Sequence, residues 1–261
     1  MKVFRPLFLL TALLVVIGLA CSLSGGGDTP AQPQPQQQQQ QPQVEPTQPP
    51  PPTAPPAPTE EPTLEPTEAP PARSMYFTEE FDQDPNWDYF LTYGDKDNVE
   101  VVFKNGLMIF DLKETDTYAY YLYQDQEYRD VRIDIRAENR GRNNNNVSLV
   151  CRATDDGWYE FSTEGGGLWY LYAVTINDKK NAVYNIVDNG GANSLRQGKE
   201  VNEYAMICKG NEISLIVNDK LLKKIVESKY AFRDGQVGFN ISSLNVTPII
   251  LEVDWFKVSE P

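Results

Sequence analysis

Carboxylates are the side chains whose type and spacing could support catalysis in this sequence. Its 261 residues include no His, which excludes imidazole bases, Ser-His-Asp triads and His-dependent metal sites. Retaining glycosidases need only two carboxyl groups, about 5.5 Å apart. Glu252 and Asp254 alternate on one predicted strand, so their side chains share a face. Glycoside cleavage by this pair is one hypothesis.

A second set of carboxylates shares one face of an earlier predicted strand: Asp130, Asp134 and Glu138. Arg132 and Arg136 alternate with them on the same face. Alternating signs along a strand are typical of a solvated, ion-paired surface rather than of a catalytic pair. We therefore expect this set to be structural.

Aromatic and polar side chains in the middle of the chain follow a pattern typical of sugar-binding surfaces. Sugar rings stack on flat aromatic side chains, while carboxylates, amides and Arg hydrogen-bond the hydroxyl groups. Five residues form the predicted binding surface: Arg152, Trp158, Glu160, Trp169 and Tyr172. Strand alternation places Trp158 and Glu160 on one face, opposite Tyr159 and Phe161. A further patch of rings precedes them: Tyr118, Tyr120, Tyr121 and Tyr123. The alternative is that most of these rings fill a hydrophobic core.

The elements that must position these side chains are β-strands. From Ser74 onward, short runs rich in Val, Ile, Tyr and Phe are separated by turn signals every 8–12 residues. Residues 99–112 predict a hairpin that turns at Asn105-Gly106. We count roughly fourteen strands and no amphipathic helix, which predicts an all-β, two-sheet antiparallel sandwich over residues 74–261.

The N-terminal segment predicts export and a membrane anchor. Residues 1–20 combine Lys2 and Arg5 with an apolar run too short to cross a bilayer comfortably, as in a secretory signal peptide. The run ends in Gly-Leu-Ala-Cys21, which resembles the lipobox of bacterial lipoproteins, and this resemblance implies lipidation of Cys21. The alternatives are an ordinary signal peptide with an incidental Cys, or an uncleaved anchor. Two acyl chains suffice for stable anchoring.

Composition predicts a disordered stalk between the anchor and the domain. Sixteen of the 20 Pro residues fall between Pro30 and Pro71, and residues 21–73 have almost no apolar side chains to bury. The net charge of the chain is −14; 20 basic and 31 acidic residues leave −11 on residues 74–261. This acidity argues against nucleic acid as a partner and leaves neutral sugars open.

Several segments of the predicted domain together resemble one fold family. They are Val147–Phe161, Glu203–Leu222, Gly235–Phe239, Val253–Val258, and the opening Glu80-Phe-Asp82 with Trp87. These residues resemble the hairpins and closing strands of concanavalin A-like lectin and glucanase jelly rolls. Within that family they are most similar to the laminin-G-like branch with 3-keto-disaccharide hydrolase-type domains. The resemblance implies a jelly roll, and such domains are often sugar-binding or accessory modules.

The resemblance also bears on the cysteines. Cys151 and Cys208 continue an inward apolar alternation, so they are either a disulfide, which an exported protein retains, or two buried free thiols. A matching pair recurs in the resembling family, which favours the disulfide.

A structural calcium site and a glucanase site are two further possibilities that the resemblance raises. The first and last strands of this fold pair, which would bring Asp82 and Asp84 near Asp254 as oxygen ligands for calcium; the alternative is solvated acidic turns. Glucanases with this jelly roll carry a Glu-x-Asp-x-(x)-Glu pattern on one strand. Glu252-Val-Asp254 supplies two of its carboxylates and no third.

We therefore predict an exported, membrane-anchored lipoprotein that presents a non-catalytic β-sandwich outside the cytoplasm, with carbohydrate as its partner. A structural or protein-interaction module without a sugar site is the first alternative. A glycoside hydrolase is the second.

Overall fold

Fifteen β-strands form the domain in the computed structural model, which describes residues 74–261. The predicted signal peptide (1–20), Cys21 and the stalk (21–73) lie outside the described residues. The strands are β1 (Phe77–Glu79), β2 (Asp88–Tyr93), β3 (Val99–Phe103), β4 (Met108–Leu112), β5 (Tyr118–Tyr128), β6 (Val131–Asn139), β7 (Asn145–Thr154), β8 (Gly157–Glu164), β9 (Leu168–Ile176), β10 (Ala182–Gly191), β11 (Val201–Lys209), β12 (Glu212–Val217), β13 (Lys220–Val226), β14 (Gly235–Ser243) and β15 (Ile249–Ser259).

Helical structure within residues 74–261 is limited to one 3-10 turn, Lys96–Asn98, capped by Asp95. No helix in this part of the chain is long and apolar enough to cross a membrane.

The strands pair into two antiparallel sheets. One has eight strands in the order β13-β12-β11-β6-β15-β4-β3, with β1 paired to the end of β15. The other has seven strands in the order β10-β9-β8-β7-β14-β5-β2. Neighbours such as β14 and β5 are far apart in sequence, so the chain crosses between sheets as a jelly roll requires. The predicted two-sheet sandwich is confirmed.

Local sequence explains the hairpins. Asn105 and Gly106 both have positive φ, of 57° and 70°, at the turn between β3 and β4, the geometry that two-residue hairpin loops prefer. Asn218 and Asp219 have φ of 50° and 61° between β12 and β13. The hairpin predicted over residues 99–112 is therefore present.

The main hydrophobic core lies between the two sheets. On β6, Val131, Ile133 and Ile135 are fully buried while the residues between them face outward, which confirms the predicted alternation. Cys151 on β7 and Cys208 on β11 form a disulfide with an S–S distance of 1.99 Å, so it joins the two sheets.

The seven-stranded sheet is curled so strongly that side chains from its two edge strands touch across its outer face. β10 and β2 lie six strand spacings apart, which is about 29 Å in a flat sheet. Yet the Tyr184 hydroxyl on β10 lies 2.7 Å from the Thr92 hydroxyl on β2. The outer face is therefore a deep trough, and a second hydrophobic cluster that includes Tyr120 and Trp158 fills its floor.

Candidate binding site in the trough of the seven-stranded sheet

The trough contains a cavity of about 400 Å³, called the tyrosine pocket below. Four tyrosines and four smaller polar residues line it: Tyr93, Asp116, Tyr118, Asn146, Glu160, Ser162, Tyr172 and Tyr184. They come from six segments of the chain that are adjacent only in the folded sheet. The volume lies within the range of small-molecule sites.

Strand register brings these side chains to one face. Glu160 on β8 pairs with Tyr172 on β9, and Asn146 on β7 pairs with Ser242 on β14. Side chains on a strand alternate between faces, so Ser162 lies on the same face as Glu160. The residues between them, such as Phe161, pack in the core between the sheets.

Glu160 forms the deep end of the pocket. Its side chain is buried, with an exposed fraction of 2%. Its Oε2 atom accepts hydrogen bonds from the Tyr120 hydroxyl at 2.6 Å and from the Trp158 indole nitrogen at 3.1 Å. Burial raises the pKa of Glu160, and hydrogen bonds from Tyr120 and Trp158 oppose that rise. The carboxyl group is therefore held by neutral donors.

The tyrosines pack around one another. The ring centroids of Tyr118 and Tyr184 are 5.6 Å apart, and those of Tyr172 and Tyr184 are 5.7 Å apart with the planes nearly perpendicular. Burial raises the pKa of all three phenols. They are neutral near pH 7, so each can donate or accept a hydrogen bond.

Two amide groups on this face leave polar atoms without protein partners. The Asn146 Oδ1 and Asn240 Nδ2 atoms are buried and have no hydrogen-bond partner. The Oδ1 atom of Asn240 accepts a hydrogen bond from Ser242, the neighbour of Asn146 across β7 and β14. Unpaired buried polar groups are costly unless water or a ligand completes them. Asn146 lies in the pocket wall, although its Oδ1 atom is itself buried.

The structure brings Trp158, Glu160 and Tyr172 together, as alternation predicted for the first two. Trp158 forms part of the trough floor, where it donates to Glu160 and packs edge-on against Tyr120. Tyr172 lines the pocket. Their ligand-binding role stays a prediction.

Trp169 and Arg152 lie away from the pocket. Trp169 points from β9 into the core between the sheets, where Gly190 packs against its indole ring. Arg152 is buried at a bulge of β7 with φ of 57°. Its guanidinium donates to the carbonyl oxygens of Arg129 and Phe232, both at 3.0 Å. Neither side chain therefore lines the tyrosine pocket.

The carboxylates first considered for catalysis are ion-paired on the outer face of the eight-stranded sheet. Glu252 pairs with Arg140 at 3.0 Å, and Asp254 pairs with Arg136 at 2.8 Å. The second set is similarly engaged: Asp134 with Arg132, Glu138 with Arg140, and Asp130 with the Gly210 amide. Each is held by a partner rather than directed at a shared cavity.

The predicted calcium ligands do not converge. Asp254 is paired with Arg136, Asp84 accepts a hydrogen bond from the Asn86 amide in a local turn, and Asp82 is exposed. Within residues 74–261, no group of three or more Asp, Glu, Cys or His residues could hold a metal ion.

Sequence reasoning missed a carboxylate pair on β8. Glu160 and Glu164 stand four residues apart with Ser162 midway, which is the Glu-x-Asp-x-Glu spacing with Ser at the central position. Glu164 is partly buried, and its side chain interacts with the Tyr170 hydroxyl. The Glu-x-Asp-x-Glu pattern with a neutral residue allowed at its centre would have identified Glu160 and Glu164. Tyr93, Asp116 and Asn146 were also missed because only the folded sheet brings them to the pocket.

Comparisons with known proteins support the fold alone. No family model matches this sequence, and no curated protein is similar to it. Solved structures that share the architecture do so at low sequence identity, as three examples show. A Bacillus subtilis protein of unknown function with a galectin-like fold has a TM-score of 0.54 at 8% identity, covering 71% of this chain and 98% of that one.

The other two are described as glucan-related proteins. A GH16 of the Bacteroides ovatus mixed linkage glucan PUL, in complex with a G4G4G3G product, has a TM-score of 0.51 at 8% identity, covering 70% and 99% of the two chains. A prokaryotic β-1,3-1,4-glucanase (lichenase) from a mouse hindgut metagenome has a TM-score of 0.50 at 12% identity, covering 71% and 99%. Residues 74–261 therefore form a jelly-roll sandwich of the concanavalin A-like fold, as the sequence motifs predicted.

Proposed function

We propose that this protein binds carbohydrate in the tyrosine pocket without cleaving it. The observation that carries the proposal is the lining of the pocket, in which four tyrosine rings surround Asn146, Asp116, Ser162 and Glu160. Aromatic faces and edges pack against the apolar patches of sugar rings, and the polar groups match sugar hydroxyls as donors and acceptors.

The pocket has no group that repels a neutral sugar. Burial raises the pKa of Tyr118, Tyr172 and Tyr184, which keeps these three phenols neutral. Glu160 is already engaged by Tyr120 and Trp158. The description of two structures with this fold as a glucanase and as a glycan complex adds support for a carbohydrate.

Binding without cleavage is favoured by the state of Glu160. A general acid must reach the glycosidic oxygen, whereas this side chain has an exposed fraction of 2% and both donors to its Oε2 atom come from the protein. Glycoside cleavage is the second candidate, because burial raises the pKa of Glu160 and Glu164 lies on the same strand face. Reducing-sugar release that is lost in Glu160→Gln would support cleavage.

We also propose that the domain is displayed outside the cytoplasm on a lipid anchor. The support is the apolar run of residues 1–20, the Cys21 that ends it, and the Pro-rich segment that follows. Metabolic labelling with a palmitate analogue tests this. We expect label in the wild-type protein and none in Cys21→Ala; equal labelling of both would contradict the anchor.

Glycan-array binding tests the sugar site. We expect the purified protein to bind at least one glycan and Tyr172→Ala to lose that binding. Tyr76→Ala is the matched control, because Tyr76 is an exposed tyrosine outside the pocket. Absence of binding to any glycan would favour the structural or protein-interaction module instead, whereas equal binding by Tyr172→Ala would place the sugar site outside the tyrosine pocket.

A further inference from the structure

A chain of hydrogen bonds crosses the trough and divides it. The Tyr184 hydroxyl lies 2.7 Å from both the Thr92 and the Tyr120 hydroxyls, and Tyr120 donates to Glu160 at 2.6 Å. These four residues, called the tyrosine bridge below, connect strands β10, β2, β5 and β8. Because β10 and β2 are the two edges of the sheet, the bridge spans the trough from rim to rim.

A separate cavity lies beyond the bridge. Its volume is about 1080 Å³, and Phe90, Thr92, Trp158 and Ala182 are among its lining residues. It shares no lining residue with the tyrosine pocket. The floor under the bridge is filled as well, because Phe90 stacks on Tyr120 at 5.1 Å and Trp158 packs against Tyr120 at 5.4 Å. The trough is therefore two compartments rather than one continuous groove.

Side-chain exposure in the tyrosine pocket decreases from its open mouth to its closed end. Tyr93 is 50% exposed and Asp116 is exposed at the mouth. Glu160 at the bridge is 2% exposed. A sugar chain entering at the mouth meets the bridge, whose contacts of 2.6 to 2.7 Å between side-chain oxygens leave no room between them for a sugar unit.

From this geometry we infer that the pocket recognises the end of a glycan chain and not its interior. The inference rests on the proposed sugar-binding function and adds the substrate class to it. A terminal sugar fits the closed end of the pocket because it is linked to the rest of the chain on one side only. An internal sugar needs an exit on both sides, and the tyrosine bridge closes one of them.

The test counts binding sites on one glycan at two chain lengths. Barley mixed-linkage β-glucan and the oligosaccharides cut from it by a lichenase are titrated calorimetrically into the wild-type protein. We expect the sites per gram to rise by the same factor by which digestion multiplies the chain ends. Sites per gram that stay constant would overturn end recognition while leaving sugar binding intact. Absence of binding to both probes would overturn recognition of β-glucan chain ends, and absence of binding to every array glycan would overturn the sugar-binding proposal and this inference with it.

Two variants of Tyr184 test whether its ring is what blocks the trough. Tyr184→Ala removes the side chain that crosses the trough, and we expect it to increase the sites per gram on the undigested polymer. Tyr184→Phe keeps the ring in place and is expected to retain the wild-type ratio between polymer and oligosaccharides. The same ratio for Tyr184→Ala as for the wild type would contradict the assigned role of the bridge. The wild-type titration remains decisive if Tyr184→Ala fails to fold.

Discussion

Removing the Tyr120 hydroxyl tests how the buried carboxyl of Glu160 is held. Tyr120 is fully buried. Its hydroxyl donates to Glu160 and lies 2.7 Å from the Tyr184 hydroxyl. Tyr120→Phe keeps the ring and its stacking on Phe90 but deletes both hydrogen bonds. Glu160 is left with the Trp158 indole as the donor that lowers its pKa.

The expected loss of unfolding free energy depends on pH. A hydrogen bond to an ionised group contributes about 1.5–3 kcal/mol and a neutral one about 1 kcal/mol. With Glu160 ionised, Tyr120→Phe therefore costs about 3 kcal/mol, and with Glu160 protonated it costs about 2 kcal/mol.

The direction of the pH dependence follows from linkage. The pKa of Glu160 is raised above 4.5 in the folded protein. Ionisation of Glu160 therefore lowers the stability of the protein as the pH rises from the pKa of the unfolded state through the pKa of the folded state. Losing the Tyr120 donor raises that pKa further. The stability difference between wild type and variant must then grow with pH.

Urea unfolding at about pH 4, below the ordinary glutamate pKa, and at about pH 9 measures how the cost changes with pH. Tyr204→Phe is the control, because Tyr204 is buried and its pKa is raised by burial alone; its cost is expected to be the same at both values. A cost for Tyr120→Phe that is equal at the two pH values, or larger in acid, would refute the reasoning.

Three other changes have expected outcomes in equilibrium unfolding. Reducing the Cys151–Cys208 disulfide, which closes a loop with a sequence separation of 57, should lower stability by about 4 kcal/mol in the chain-entropy model; a loss below about 1 kcal/mol would contradict it. Gly190→Ala places a Cβ 2.9 Å from the Trp169 Nε1 atom and should cost about 1–3 kcal/mol by overpacking, so an unchanged melting temperature would argue against the close contact. In Arg152→Lys, a single ammonium group replaces the guanidinium that donates to two backbone carbonyl oxygens. The substitution should lower the free energy of unfolding by about 1–3 kcal/mol. A stability equal to wild type would show that these hydrogen bonds contribute little.

The fold was predictable from local patterns. Period-2 alternation on β6 and the Asn105-Gly106 turn are encoded within a few residues, and both are present as predicted. The structure has fifteen strands where the sequence indicated roughly fourteen, because short strands such as Phe77–Glu79 carry too few residues for a clear alternation.

The site was only partly predictable. Trp158 and Glu160 share a face because alternation on β8 is local. Trp169 was assigned to the same surface, yet it stands on β9 in the opposite phase to Tyr172 and therefore points into the core. Arg152 leaves the face because a bulge changes the register between Cys151 and Thr154.

The curvature of the sheet could not be read from any single segment. It depends on contacts such as Thr92 with Tyr184, which are 92 residues apart. The pocket and the tyrosine bridge exist because of this curvature. Long-range packing therefore determined the features that carry the proposed function.

Mapping a bound oligosaccharide by backbone amide NMR shifts tests the central claim most directly. The probe is the glycan that gives the strongest array signal, titrated into the purified protein. Sugar binding in the tyrosine pocket predicts shifts concentrated at Asp116, Tyr118, Ser162, Tyr172 and Tyr184, with little change on the outer face of the eight-stranded sheet. Shifts confined to the eight-stranded sheet, or no shift at saturating glycan, would contradict the account.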